Sequence, residues 1–594
     1  MRFAYLSLAV LALIAAVYQP VMYADFVWVD KICFRNAAWL RYGDGWKELV
    51  FHDFYDWVNY FRPLVVALFV AEVRGFDATP GPMHLVSLLL HLLSTLLVGI
   101  LALRLTKNIG PPRRSMFLSV AAMLLYGLHA ALIEPVVWVS CQYELVVTLF
   151  MMLGLTLNAV IPRESLRALG VSTCFFLAAC AKESAVAFPL LLLLVDWMQL
   201  GSASGVENCW GIRSVWRRQR TTYIAVFLGG VAYLALRLWG LGFLVQSAGT
   251  EPLFTWARLQ TVSFVFLTYW RILVWPMVGL GPLHIVDQRQ FATFSPSLLS
   301  IDLAAIAIPI LGLYLAVKRK PLGILILAIT MALLPVLHVI PVDFDMSLYH
   351  ERYAMTAAAI ACALLPRVLT EIAFLQSRLW TMVACAFASI WLAVSVVNIR
   401  ATLPLWSDEV KLWSWALRQH PGLAVAESHL LAAYGDAHQL ESARQVADLL
   451  INQSANCSDC MLNVAALAVE DGDLPRLKAA LKNIERTLRP PFNPRELQAY
   501  VIATGQMHEL QGDLQEAIYA YQDAIRLEPL DPMARLDLAL LEARQGLPDA
   551  RKNMEIALSL FTPDQRRRHR AEFEKVVAKS AEPAPASSSP PPRH

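Results

Sequence analysis

Ionisable residues stand at the edges of long apolar runs in this chain, and their types suit the handling of a proton and a phosphate. The segment Ala24-Asp25-Phe26-Val27-Trp28-Val29-Asp30 follows directly on the first apolar run. A carboxylate at Asp30 or Asp25 sits where a lipid headgroup and an external acceptor can meet, and it can take the proton of a hydroxyl. The same acids also fit an ordinary acidic loop. Lys182, Arg237 and Arg352 lie at comparable edges and can stabilise charge developing on a phosphate leaving group. Arg62, His129, Glu134, Glu144, Glu183 and Glu351 complete the set of candidates. Charge at membrane depth is costly, so such residues tend to be paired or functional. Lys182-Glu183 reads equally well as a self-compensating ion pair at a helix junction. His84 and His91, seven residues apart in an apolar run, have no third ligand at metal-site spacing and read as packing histidines. No metal and no cofactor is expected.

The elements that position these residues must be membrane helices. Of 594 residues, 57% are hydrophobic and 16% charged, where a soluble globule carries about a quarter charged residues. A net charge of +3 gives no reason to invoke nucleic acid. A helix needs about 20 apolar residues to span a bilayer. Candidate spans lie near 4–23, 82–105, 116–137, 141–161, 166–181, 184–200, 221–241, 298–317, 322–341, 353–370 and 379–399. The first has no small-residue cleavage site and reads as an uncleaved helix rather than a removed signal. Stretches 63–75 and 258–277 read as interfacial or re-entrant.

Positive charge orients the spans. Arg104, Lys107, Arg113 and Arg114 fill one loop, and Arg163 and Arg167 the next on that side. Arg213, Arg217, Arg218 and Arg220 form a third, and Lys318-Arg319-Lys320 a fourth. These loops are expected in the cytoplasm. The opposite loops hold Asp25, Asp30, Asp44, Asp53, Asp56, Asp343, Asp345 and Glu351. Eleven crossings from a cytoplasmic N-terminus would place everything after about 400 outside the cytoplasm.

Beyond Asn398 the segments become shorter, amphipathic and repetitive. Gly505, Gly512, Ala517, Tyr521, Ala524 and Pro529 have the spacing of a tetratricopeptide unit over 498–529. Ala517 and Ala524 let two helices approach, Tyr521 fills the groove between them, and Pro529 stops the second. Weaker copies lie at 424–451 (Tyr434, Ala443) and 460–487 (Gly472), and 532–560 reads as a degenerate capping unit. Cys457 and Cys460 form a CxxC where a disulfide is expected if the segment lies outside the cytoplasm. The Pro/Ser-rich tail 581–594 is expected to be disordered.

Taken in order, several motifs resemble the GT-C glycosyltransferases, in particular the transmembrane and tetratricopeptide-repeat O-mannosyltransferases and their bacterial relatives. They are Phe26-Val27-Trp28-Val29-Asp30, Tyr60-Phe61-Arg62-Pro63-Leu64, Met83-His84-Leu85-Val86 with His91, and His129…Glu134-Pro135-Val136-Val137-Trp138. Lys182-Glu183, Tyr233-Leu234-Ala235-Leu236-Arg237, Glu351-Arg352-Tyr353 and Trp406 with Asp408-Glu409 and Leu412-Trp413 continue the series. The resemblance implies an all-α chain: a polytopic GT-C-like domain over 1–400, a tetratricopeptide-like solenoid over 401–575, and a tail over 576–594. It implies inverting transfer of a hexose such as mannose from a polyprenyl-phosphate donor to a hydroxyl of a protein or envelope acceptor. A loop carboxylate would be the base, basic residues would hold the lipid phosphate, no tightly bound metal would be needed, and external repeats would help choose the acceptor. Two positions depart from the pattern: Val29 stands where the first of two adjacent acids is usual, and Gln142 where an arginine is usual.

The sequence therefore carries three readings. One is a transferase in a bacterial inner membrane, with its repeats in the periplasm. The second is a non-catalytic membrane scaffold that recruits envelope proteins through the repeats. The third, a transporter, lacks internally symmetric spans and paired broken helices.

Overall fold

The structure is a computed structural model. It describes residues 2–35, 50, 60–107, 109, 111–203, 212–244, 255–293, 295–339, 347–372, 377–453, 455–488, 494–529, 531–561 and 563–580. Every regular element among them is helical. Asp44, Asp53, Asp56, Asp343, Asp345 and the tail 581–594 lie outside the described residues. The chain divides into two compact units, one holding the described residues up to Leu412 and the other those from Trp413.

The first unit contains α1 (Arg2–Tyr18), α2 (Pro63–Phe76), α3 (Pro80–Thr106), α4 (Pro112–Gly127), α5 (Ile133–Val137) and α6 (Gln142–Val160). There follow α7 (Glu164–Ala181), α8 (Phe188–Ala203), α9 (Ile212–Leu241), α10 (Trp256–Val274), α11 (Pro296–Val317), α12 (Pro321–Leu333), α13 (Met355–Leu369) and α14 (Arg378–Thr402). Among the described residues, eight helices are long and apolar enough to cross a membrane, or nine if α4 and α5 form one bent span. This is a multi-pass membrane unit.

Eight of the eleven expected spans are helices of crossing length, and the other three differ in two ways. The run 116–137 is not straight: α4 ends at Gly127, and the chain turns by 51° into 130–137. Within the turn, Glu134 accepts from the Arg352 backbone N–H at 2.9 Å and pairs with its guanidinium. The expected spans at 184–200 and 322–341 are shorter than a full crossing. The first becomes a 3-10 turn, Glu183–Ala187, before α8, and the second is the short apolar helix Pro321–Val336.

Consecutive helices pack as antiparallel hairpins, α6 on α7 and α11 on α12; α9 runs parallel to α7 and packs along it, from Thr221 beside Glu164 to Arg237 beside Glu183, while α3 packs against α4, α6 and α13. The α11–α12 hairpin is close enough for backbone to touch backbone. A Cβ on Gly323 would fall 2.2 Å from the Ala316 nitrogen and 2.5 Å from the Gly312 oxygen. Small residues at such crossings let membrane helices gain dispersion contacts where no hydrophobic effect drives them together.

The second unit begins within α15 (Glu409–Gln419) and continues as paired helices: α16 (Ala424–Asp436) with α17 (Leu440–Asn452), and α18 (Ser458–Asp471) with α19 (Leu474–Thr487). Then come α20 (Pro494–Gln511) with α21 (Leu514–Leu527), α22 (Pro532–Arg544) with α23 (Ala550–Leu560), and a last helix, α24 (Pro563–Ser580). Tyr521 is fully buried between α20 and α21, and a Cβ on Gly505 would lie 2.8 Å from its ring. Its hydroxyl donates to Glu509 at 3.1 Å, which satisfies the one polar atom of an otherwise apolar plug. Helix α21 stops at Leu527, two residues before Pro529. Cys457 and Cys460 are joined in a disulfide at the start of α18.

Candidate functional site

Hairpin packing brings one set of helix ends together. The start of α6, the end of α7, the last turns of α9, the entry to α2 and the turn before α13 share one end of the first unit. Arg104 closes α3 and Arg113 opens α4, Arg163 lies between α6 and α7, and Lys318 to Lys320 join α11 to α12. Of the basic segments, the Arg163 loop between α6 and α7 and the start of α9, with Arg217, Arg218 and Arg220, occupy the other ends of the helices that build this end.

At the shared end, cations from four distant segments surround tyrosine rings. Arg62 donates to Glu183 through Nε at 3.3 Å and Nη2 at 3.2 Å. Arg237 reaches the other carboxylate oxygen of Glu183 at 3.5 Å and the Tyr233 hydroxyl at 3.4 Å. The Arg62 guanidinium lies 3.9 Å from the Tyr60 ring centroid and 4.4 Å from that of Tyr143. The Lys182 ammonium pairs with Glu144 and lies 4.3 Å from the Tyr353 ring and 5.6 Å from Tyr143. Arg352 pairs with Glu134 and sits 4.8 Å from Tyr353 and 5.1 Å from Trp138. These contacts form one connected cluster running from Arg237 to Glu134.

Local backbone explains part of this. Lys182 ends α7 in an extended conformation, φ −161° and ψ 146°, so consecutive side chains at 182 and 183 point to different partners. Burial pulls the Lys182 ammonium below its ordinary value, against the attraction of Glu144. For Glu183 burial pushes upward, but Arg62 and Arg237 outweigh it and hold the carboxyl below the usual range. Apolar residues exposed at the unit's surface come close to this cluster: Val186 and Leu190 beyond Glu183, and Leu234, Leu238 and Trp239 beside Arg237. A lipid chain can lie there while its headgroup reaches the cations.

Asp30 is placed differently. Its carboxylate is fully buried and accepts from the Val139 N–H at 3.2 Å, the Ser140 N–H at 2.8 Å and the Ser140 hydroxyl. Burial pushes its carboxyl up to about 7 against the pull of those hydrogen bonds. The arrangement caps the 139–141 turn that precedes α6, so Asp30 holds the loop and presents no oxygen to a surface. Trp28, two residues earlier, has a left-handed backbone, φ 56°. Such strain persists only where surroundings enforce it. Here the Trp28 ring stacks on Trp138 with centroids 4.7 Å apart, and the Trp28 backbone N–H donates to Glu409 at 3.1 Å. Asp25 is half-buried, with one carboxylate oxygen accepting from the Phe26 N–H at 2.8 Å.

Two candidates face elsewhere. His129 bonds the Leu273 carbonyl at 3.1 Å and packs edge-on to Trp391, tying α4 to α10 and α14. Glu351 pairs with His284 at 2.9 Å and accepts from the Gly281 N–H. His91 uses a ring nitrogen on the Gly127 carbonyl at 3.1 Å and packs between Tyr18 and Tyr126.

The sequence reading missed Tyr60, Tyr143, Tyr233, Tyr353, His284 and Glu72 as site residues. Each tyrosine lies within four positions of a candidate cation or acid, a pairing that was visible in the chain. Glu72 had no such signal: it accepts from Gln142 at 3.0 Å, and burial pushes its carboxyl up to about 8. Gln142 is thus an amide partner to a buried acid.

Chemically, buried guanidinium and ammonium groups around aromatic faces can hold a phosphate and the sugar joined to it. Compared with protein families, curated proteins and solved structures, the chain has no match.

Proposed function

We propose that the first unit is a glycosyltransferase that binds a polyprenyl-phosphate sugar and passes the sugar to a hydroxyl. The observation that carries this reading is the convergence of Arg62, Lys182, Arg237 and Arg352 on Tyr60, Tyr143, Tyr233 and Tyr353. Charges so deeply buried are costly to fold around unless they serve a ligand or one another. Arginine forks match phosphate oxygens, and lysine adds a point charge. The tyrosine faces offer a flat apolar surface to the sugar ring. The donor's hydrocarbon tail stays in the bilayer beside Leu234, Leu238 and Trp239.

In this reading Asp30 and Trp28 fix the loop that closes the site. The cations take up the charge that grows on the phosphate as the bond to the sugar breaks. The basic loops at the opposite helix ends support a site outside the cytoplasm; in this reading the membrane is a bacterial inner membrane and the tetratricopeptide-like repeats lie in the periplasm. The repeats then help select a protein or envelope acceptor.

The test is transfer of radiolabelled sugar from a series of polyprenyl-phosphate donors by the purified protein, with an envelope extract as acceptor. Labelled product supports the reading, and no product with any donor counts against it.

A scaffold reading draws on a separate observation. A groove of about 630 Å³ runs between α18, α20 and the start of α22, lined by Leu462, Ala466, Ile502 and Met533 among others. A partner segment can dock there without any chemistry in the membrane unit.

A further inference from the structure

We propose that Glu183 is the group that takes the acceptor's proton in this chain, and that the donor phosphate releases it for that task by displacing it from Arg62 and Arg237. The assignment rests on the transferase reading above.

The carboxylates near the cluster differ sharply in how they are held. Asp30, Glu134, Glu144 and Glu351 are all at most 3% exposed. Each has a fixed partner: the 139–140 backbone, Arg352, Lys182 and His284 respectively. The Glu183 side chain is 37% exposed. Its contacts, at 3.2, 3.3 and 3.5 Å, are long for charge-assisted hydrogen bonds, which run about 2.7–2.9 Å when well formed. It is therefore an anion standing loosely between two guanidinium groups, at a place that a ligand can reach. The exposed Val186 and Leu190 that follow it put that place beside the lipid-facing surface.

A phosphate monoanion offers the same two arginines more oxygens than a carboxylate does. When it takes them, Glu183 loses the attraction that holds its carboxyl below the usual range, and its basicity rises. A competent base then exists only when donor is bound. The acceptor hydroxyl gives its proton to Glu183 as its oxygen lone pair forms the bond to the anomeric carbon. The bond from that carbon to the phosphate oxygen breaks, and its electron pair leaves with the polyprenyl phosphate, now a dianion. Arg62 and Arg237 take up the added charge. The proton on Glu183 passes to water, and the carboxylate returns to the arginines as the lipid departs.

The experiment compares wild type with Glu183→Gln and Glu183→Asp in two assays. One is equilibrium binding of tritiated polyprenyl phosphate in detergent, and the other is transfer from a polyprenyl-phosphate hexose. Glu183→Gln should bind the phosphate at least as tightly as wild type, because a competing anion is gone, while kcat falls by at least ~100-fold. Glu183→Asp should recover part of the rate. Transfer by Glu183→Gln within about threefold of wild type, or equal loss of binding and transfer, would overturn the assignment. The first result would move the base elsewhere, with Asp25 next in line. A measurement on the wild type stands apart from any folding defect: carbodiimide modification of Glu183, read by mass spectrometry, should rise when polyprenyl phosphate is added. Unchanged modification on a protein that binds the lipid contradicts the displacement. A wild type that neither binds the phosphate nor transfers sugar removes the transferase reading, and this assignment with it.

Discussion

Lys182 and Glu183 are adjacent in the chain, yet their side chains belong to different ion pairs. The ammonium joins Glu144, and the carboxylate lies between Arg62 and Arg237. A self-compensating pair would tolerate exchange of its two members. Here the double exchange Lys182→Glu with Glu183→Lys keeps net charge but sets carboxylate against Glu144 and a third cation between two arginines. Breaking one buried pair costs about 3–5 kcal/mol, so this variant should fail to accumulate as folded protein. Size-exclusion chromatography in detergent checks it, and a monodisperse peak with wild-type melting would restore the simple ion-pair view.

Asp30 is a cap in this account, so its loss should be felt first as stability. Asp30→Ala leaves two backbone N–H groups and a hydroxyl buried without their acceptor, at about 1–3 kcal/mol for each unsatisfied group. Asp30→Asn keeps one acceptor oxygen and should lose less. Tryptophan-fluorescence melting should rank wild type above Asp30→Asn above Asp30→Ala.

The crossing of α11 and α12 depends on Gly323. Gly323→Ala puts a methyl group into the backbone of the facing helix, and overpacking of this kind costs about 1–3 kcal/mol. The variant should melt earlier than wild type, whereas Gly435→Ala, where nothing lies within 4 Å of the added carbon, should show no steric loss.

In the second unit Asp537 accepts from Gln506 at 2.9 Å, and burial, with Glu509 adding to it, pushes its carboxyl up to about 7. A folded value above the unfolded one, near 4, means that this contribution is fully present below about pH 4. It is lost as pH rises through about 7. Asp537→Asn should therefore melt above wild type at pH 8, with the gap closing as the pH falls to 4. A gap independent of pH would show that Asp537 does not titrate in that range.

Much of the architecture was legible because a bilayer imposes length and polarity on each helix. The runs 82–105 and 379–399 and the basic loops at Arg113 and Lys318 needed no tertiary information. The helix pair within 498–529 was equally plain, since Gly505 and Tyr521 mark a close approach by residue type alone. The bend after Gly127 was hidden, because the partner that Glu134 meets there, Arg352, lies far along the chain. Asp30 was visible by its position at the end of the first apolar run, but its partners, Val139 and Ser140, were not. His284 and Glu72 carried no signal, since each matters only through one long-range contact. Lys182, Arg237, Arg352 and Arg62 were visible as charges at apolar edges, but their meeting around shared tyrosines was not.

The most direct measurement is transfer of labelled sugar from a polyprenyl-phosphate donor by the wild-type protein and by the Arg62→Gln, Arg237→Gln double variant. The wild type should transfer sugar, and the variant should lose at least ~100-fold in kcat/KM, about 2.7 kcal/mol of transition-state stabilisation. Wild-type protein that is folded and inactive with every donor, or a variant as active as the wild type, would contradict this.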